Sequence, residues 1–355
     1  MPHVVSGSPY IPTTSRAPRT AGSSRARRAR RVGRTKATSG IVTADEATTY
    51  RETPKDHMTA TQTPPASAAR GLLRTARPRQ WSKNLLVLAA PVLSGELTEG
   101  SVVAHTAIAF VAFCCAASGV YLVNDARDVE ADRAHPSKRF RPVAAGVVRP
   151  GAAYAAGAAL HVLALVVAVQ AGWRLAAVIA VYLAVSAAYS WWLKHEPVLD
   201  IAVIASGFLL RAVAGGAASG IELSQWFLLS ASFGSLFMAA GKRYAEVSLD
   251  LKEPELFRRT LALYSPTYLR FVWTMSAGLL IMTYGLWAFE LSAAAGGSAL
   301  TVASMAPFVL AVLRYAVSVD AGVAGEPEEI ALRDHVLQVL AVVWLALVAG
   351  AVYVG

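Results

Sequence analysis

The residues with the most chemistry to offer in this 355-residue chain run from Asn124 to Pro142. They read Asn124-Asp125-Ala126-Arg127-Asp128-Val129-Glu130-Ala131-Asp132-Arg133 and, shortly after, His135-Pro136-Ser137-Lys138-Arg139-Phe140-Arg141-Pro142. Asn124, Asp128 and Asp132 recur at i, i+4 and i+8, with Asp125 three residues before Asp128. On a helix they form one stripe whose oxygens converge. Carboxylates that face one point repel unless a hard cation lies between them, and magnesium prefers such oxygens, completing its shell with water and phosphate. The stripe alone is equally what a solvated helix end looks like, paired internally by Arg127 and Arg133. The cations Lys138, Arg139 and Arg141 directly after it tip the reading. Acids for a metal beside bases for phosphate oxygens suit a metal-diphosphate substrate.

Other charged residues fall at element ends. Lys83 and Lys194 are placed to reach the same face, although each alone is also what a membrane anchor looks like. A second charged run, Gly241-Lys242-Arg243-Tyr244-Ala245-Glu246-Val247-Ser248-Leu249-Asp250, puts Lys242, Glu246 and Asp250 on one helical stripe of mixed sign. Read by itself it is a salt-bridged helix surface. Asp200 and Arg211 lie eleven residues apart in an apolar segment. At helical rise that is about 16 Å and close to three turns, so both point one way. A charge so deep in an apolar run faces a partner or a water-filled cavity.

The elements that must position these residues are hydrophobic helices. The chain is 55% hydrophobic and 16% charged, with mean hydropathy +0.45, against about 25% charged in ordinary soluble domains. Twelve Lys and Arg against four Asp and Glu in residues 1–70 place eight of the ten net positive charges in that segment. The basic balance therefore describes an appendage, and a nucleic-acid partner is not expected. Residues 1–70 read as a disordered tail, with Met58 an alternative start. Residues 71–355 read as the catalytic domain. Apolar runs at 83–95, 102–123, 152–170, 174–193, 198–218, 225–241, 268–290, 298–318 and 334–354 predict nine spans, with a helix start at Pro197 and a kink at Pro307. Positive residues crowd alternate connections, around 74–83, 124–149, 194 and 242–270, which places these loops and the N-terminus in the cytoplasm. The expected fold is all-α, a polytopic bundle of nine transmembrane helices with a cytoplasmic polar cap. Cys114 and Cys115, adjacent in an apolar run, suggest neither disulfide nor zinc.

The pattern Asn124-Asp125-x-x-Asp128-x-x-x-Asp132 after the second predicted helix resembles the UbiA prenyltransferase superfamily. The match extends to Arg77-Pro78-Arg79-Gln80-Trp81-Ser82-Lys83-Asn84 and to Tyr189-Ser190 with Lys194, and covers roughly residues 74–355. The resemblance implies that Asn124, Asp125, Asp128 and Asp132 hold magnesium and a diphosphate, with the three aspartates catalytic. Where the superfamily usually carries a second set of aspartates, this chain has Lys242-Arg243-Tyr244-Ala245-Glu246. That departure, with the Lys138–Arg141 cluster, looks like the decaprenyl-phosphate phosphoribosyltransferase branch. Its donor is 5-phosphoribosyl 1-diphosphate, its acceptor a polyprenyl phosphate, and its implied role is in arabinogalactan precursor synthesis for the cell wall at the bacterial plasma membrane. Lys83, Asn124, Lys138, Arg139, Arg141, Lys194, Lys242, Arg243, Tyr244 and Glu246 become the expected substrate-binding residues, with bulk membrane lipid around them and self-association into a homo-oligomer left open. Two other readings compete: a prenyltransferase with an aromatic or porphyrin acceptor, and a transporter coupled through Asp200 and Arg211. The transporter leaves the aspartate stripe unexplained.

Overall fold

The computed structural model describes residues 68–250, 263–294, 298–324 and 327–354. The contacts divide the chain between Thr59 and Ala60, and all described residues belong to the second unit. The expected tail over 1–70 and the Met58 start lie almost wholly outside the described residues, as does Asp250's side chain.

Every regular element among the described residues is helical. After α1 (Ala68–Thr75) a run of 3-10 turns spans Pro78–Leu88 and continues into α2 (Ala89–Ser94). The long helices α3 (Gly100–Arg127), α5 (Pro150–Val169), α6 (Trp173–Trp191), α7 (Leu199–Ser219), α8 (Gln225–Asp250) and α9 (Pro266–Ala294) follow, with short α4 (Val129–Ala134) between α3 and α5. The chain closes with α10 (Ala299–Ala303), α11 (Met305–Asp320), α12 (Pro327–Arg333) and α13 (His335–Tyr353). Counting α10 and α11 as one, seven helices among the described residues are long and apolar enough to cross a membrane. This is an integral membrane protein.

Two of the nine expected spans come out differently. The first, 83–95, is no continuous α-helix but the 3-10 run joined to α2, with Pro91 inside α2. The sixth lies in α8, which is long enough but more polar. Its Ser232 and Ser235 hydroxyls turn back to the helix's own carbonyls, and Ser230 pairs with Thr283 of α9. The kink expected at Pro307 appears as a break at Ser304, between α10 and α11. A proline ring clashes with the carbonyl four residues back, here that of Ala303, where α10 ends. Pro197 precedes α7, whose first residue is Leu199.

Close backbone approach holds the half of the bundle that carries the motif. Gly119 of α3 and Gly157 of α5 face each other so tightly that a Cβ on either would come within about 3 Å of the other's carbonyl oxygen, at 2.9 and 3.1 Å. Small residues permit such contact between helices in lipid, where packing replaces the hydrophobic drive. Gly215 of α7 does the same for the 3-10 run, because a Cβ there would sit 2.0 Å from the Val87 oxygen. That run is pinned further by Arg211. Buried to 6% exposure, it donates through Nε to Asn84 Oδ1 (2.7 Å) and through Nη2 to the Tyr182 hydroxyl (3.3 Å), between the rings of Phe113 and Tyr182. Its partners are neutral oxygens and ring faces, so it acts here as a bolt between the 3-10 run, α6 and α7. Asp200 does not share this contact.

Candidate active site at the charged end of the bundle

The aspartate stripe does not lie on one unbroken helix. α3 ends at Arg127, Asp128 leaves helical geometry (φ −88°, ψ 13°), and α4 restarts at Val129. The break sends the carboxylates in two directions. Asp125 and Asp132, both nearly buried, meet the same guanidinium. Arg141 Nη1 lies 2.8 Å from Asp132 Oδ2 and 3.3 Å from Asp125 Oδ1. Arg77 adds a second cation to Asp125 at 2.7 Å, its guanidinium 4.7 Å from the Tyr121 ring centroid. Asp128 instead turns to Lys194, 3.4 Å away. Asn124 Oδ1 accepts from the Ser190 hydroxyl at 2.6 Å.

Arg77 is delivered by strain. It is a non-glycine residue at φ 55°, ψ 59°, capping the 3-10 run, and the turn swings its side chain onto Asp125. Such a backbone costs of order 1–3 kcal/mol and persists where the surroundings over-determine it. Val198, at φ 69°, marks a second strained turn, its amide donating to the Tyr264 hydroxyl at 2.8 Å just before Asp200.

Asp200 and Arg243 form a buried fork-to-fork pair at 2% and 4% exposure. Arg243 Nη2 lies 2.6 Å from Asp200 Oδ1 and 2.9 Å from the Tyr189 hydroxyl, which itself donates to Asp200 at 2.9 Å; Nη1 takes Glu246. Burial disfavours the Arg243 charge, but Glu246, Asp200 and Tyr189 outweigh it and hold its pKa above the ordinary arginine value. The geometry therefore departs from the expectation that Arg243 reaches for a substrate phosphate. Its guanidinium is turned inward and engaged, and positions α8 against α7. Tyr244 points elsewhere, accepting from Arg270 at 2.8 Å and packing edge-on against Trp273. Arg139 is exposed over the Phe140 ring, and Lys138 opens a short 3-10 turn beside it. Lys242 and Glu246 are half-buried on the same turn of α8. At Lys83 the chain has already entered the bundle. Its neighbour Asn84 touches Cys114 and Arg211, each eleven residues, about 16 Å at helical rise, below Asp125 and Asp200.

Residues 85–333 match the UbiA prenyltransferase family. The chain belongs to this family. Among its UbiA relatives, a decaprenyl-phosphate phosphoribosyltransferase of Mycolicibacterium smegmatis is 53% identical over 301 residues, covering 82% of this chain and 95% of the relative. One of the same name from Corynebacterium glutamicum is 51% identical over 322 residues, covering 89% and 96%. A solved UbiA homologue from Archaeoglobus fulgidus bound to GPP and Mg2+ superposes with a TM-score of 0.62 at 16% identity, over 79% of this chain and 99% of that one. At that identity the likeness is one of fold.

Within this UbiA fold, Asn124, Asp125, Asp128 and Asp132 are all hard oxygen donors of the kind magnesium takes. Asp125 and Asp132 already direct oxygens at a single cationic group, and Asp128 stands one turn away on Lys194. Among the described residues no three Asp, Glu, His or Cys side chains are close enough to hold an ion as they stand. By donor type the four residues fit magnesium, and their carboxylates are paired with Arg77, Arg141 and Lys194. Most of the residues gathered here were candidates in the sequence. It left out Arg127, read only as a salt-bridge partner, which donates to the Ser190 carbonyl and lies 5.8 Å from the Trp191 ring centroid. It gave Arg77 and Ser190 no separate role. Their signal was present, since both lie in segments that carried the family likeness.

Proposed function

We propose that this protein transfers the 5-phosphoribosyl group of 5-phosphoribosyl 1-diphosphate to a polyprenyl phosphate, releasing diphosphate. The observation that carries the reading is the 53% identity, over 82% of this chain, to a relative named a decaprenyl-phosphate phosphoribosyltransferase. The site supports it, because carboxylates and cations alternate within contact distance at one end of a lipid-embedded bundle.

Asn124, Asp125, Asp128 and Asp132 would hold Mg2+, which when bound neutralises charge developing on the leaving diphosphate. Arg77, Arg141 and Lys194 pair with those carboxylates. Arrival of the donor lets Arg141 and Lys194 exchange carboxylate for phosphate oxygens, with Lys138, Arg139 and Lys242 adding charge around the donor 5-phosphate. The anionic oxygen of the lipid phosphate attacks the ribosyl C1, the C1–O bond to diphosphate breaks, and diphosphate departs with the electron pair. An already anionic nucleophile needs no general base, and single displacement inverts C1 with no covalent enzyme intermediate. The Asp200–Arg243–Tyr189–Glu246 network holds the second wall in place. The charged end faces the cytoplasm of a bacterial plasma membrane, where the water-soluble donor is available, and the lipid product serves arabinan precursor synthesis.

Purified protein given labelled 5-phosphoribosyl 1-diphosphate and decaprenyl phosphate is expected to form labelled lipid only with Mg2+ present. Consumption of a prenyl diphosphate instead, with the phosphoribosyl donor untouched, would overturn the assignment in favour of an ordinary prenyl transfer.

A further inference from the structure

Three apolar cavities lie between the helices. One of about 200 Å3 sits among α2, α7, α8 and α9, and one of about 570 Å3 among α1, α3 and α5; neither is lined by a charged residue. The third, about 480 Å3 between α3, α5 and α6, is different. On α3 its lining passes from Val120 and Val123 to Asn124 and Arg127; α6 contributes Leu183, Ser186, Ala187 and Ser190, and α5 contributes Tyr154, Ala158 and His161. On α3 the lining thus turns from apolar to polar toward the aspartate motif, and the α6 lining reaches the same end with Ser190. The polar end is at the level of Trp191 and Trp192, which are 53% and 69% exposed. Tryptophans so placed mark the membrane–water interface.

Arg127 sets this cleft apart further. Arg77 and Arg141 are neutralised by Asp125 and Asp132, whereas Arg127 donates to a carbonyl and stands by a ring, and among the described residues no carboxylate pairs with it. A fixed guanidinium with unbalanced charge, at the interface and at the head of an apolar cleft, matches a lipid phosphate with a hydrocarbon tail.

We propose that the polyprenyl acceptor binds in the cleft between α3, α5 and α6, its tail along Val120, Leu183, Ala158 and Ala187 and its phosphate on Arg127 beside Asn124. The proposal rests on the phosphoribosyl-transfer reading for the identity of the lipid. It adds the side from which the nucleophile arrives, and gives Arg127 a substrate.

Neighbouring alanines on α5 make the test. Ala158 lines this cleft, Ala159 lines the cavity among α1, α3 and α5, and both are exposed, so a larger side chain meets no core. Ala158→Trp is expected to raise KM for decaprenyl phosphate about tenfold or more, roughly 1.4 kcal/mol, while KM for 5-phosphoribosyl 1-diphosphate stays within about twofold. Ala159→Trp is expected to change neither. Arg127→Gln is expected to weaken the acceptor in the same way, with a short prenyl phosphate affected as strongly as the long one. Should Ala158→Trp not insert, Ala187→Leu on the opposite wall replaces it. Binding of decaprenyl phosphate to the purified protein, followed by thermal shift, gives a readout independent of turnover. Unchanged lipid binding in Ala158→Trp, or a loss in Ala159→Trp instead, overturns the cleft whatever the activity. Lipid binding that follows the expected pattern in a protein that transfers no phosphoribosyl group would retain the cleft and overturn the function.

Discussion

Tyr189 and Ser190 are consecutive residues at the end of α6, yet they reach opposite halves of the site: Ser190 donates to Asn124 Oδ1 at 2.6 Å, and Tyr189 donates to Asp200 Oδ1 at 2.9 Å. Successive side chains on a helix point about 100° apart. One turn of α6 therefore ties the aspartate motif of α3 to the buried pair between α7 and α8.

The two tethers should separate experimentally. Ser190→Ala removes one hydrogen bond of about 0.5–1.5 kcal/mol from Asn124, so turnover is expected to fall by up to about tenfold, with a higher Mg2+ requirement. Tyr189→Phe is expected to lower thermal stability in detergent and leave the Mg2+ requirement unchanged. Identical profiles for the two variants would show that α6 acts as one rigid support.

Asp128→Asn keeps the side chain's shape and removes its charge. Asp128 is half-exposed and, among the described residues, its ion pair is with Lys194 at 3.4 Å, so stability should hardly change. Turnover is expected to fall on the order of a thousandfold, the scale of losing several kcal/mol of charge stabilisation in the transition state. A variant with more than about a tenth of wild-type rate and the same Mg2+ titration would remove Asp128 from the metal set.

Arg243→Ala leaves Asp200 buried without a counter-ion, with the Tyr189 hydroxyl still donating to it. Breaking such a pair costs about 3–5 kcal/mol, and the double variant Asp200→Asn/Arg243→Ala should recover part of it. Thermal melting of the four proteins of the cycle reads this directly. If Arg243→Ala instead raised KM for the phosphoribosyl donor and left the melting temperature unchanged, the guanidinium would be a substrate ligand after all.

Gly215→Ala is expected to be the most damaging glycine substitution tested, because its Cβ would meet the Val87 oxygen at 2.0 Å, and backbone cannot yield cheaply. A loss of about 1–3 kcal/mol or more follows from overpacking of this kind. Gly278→Ala, which meets nothing within 4 Å, should be neutral or slightly stabilising. Equal melting temperatures for the two would place the 3-10 run differently from the contact described.

The sequence by itself determined the class of molecule, and it marked candidate residues for the chemistry. Apolar runs of spanning length cannot be satisfied in lipid except as helices, so the bundle was legible from composition. Asn124, Asp125, Asp128 and Asp132 were legible because their spacing is local. Local spacing could not show that Asp128 would break the helix and part from its neighbours, since that depends on Arg141 and Lys194 arriving from other segments. Nor could it show the partners of Asp200 and Arg211. Arg243 lies 43 residues from Asp200, and Asn84 lies 127 from Arg211. A buried charge announces in the sequence that it needs a partner. Which residue meets that need is decided by helix packing across the bundle, and this turned Arg243 inward and left the charge of Arg127 facing a cleft.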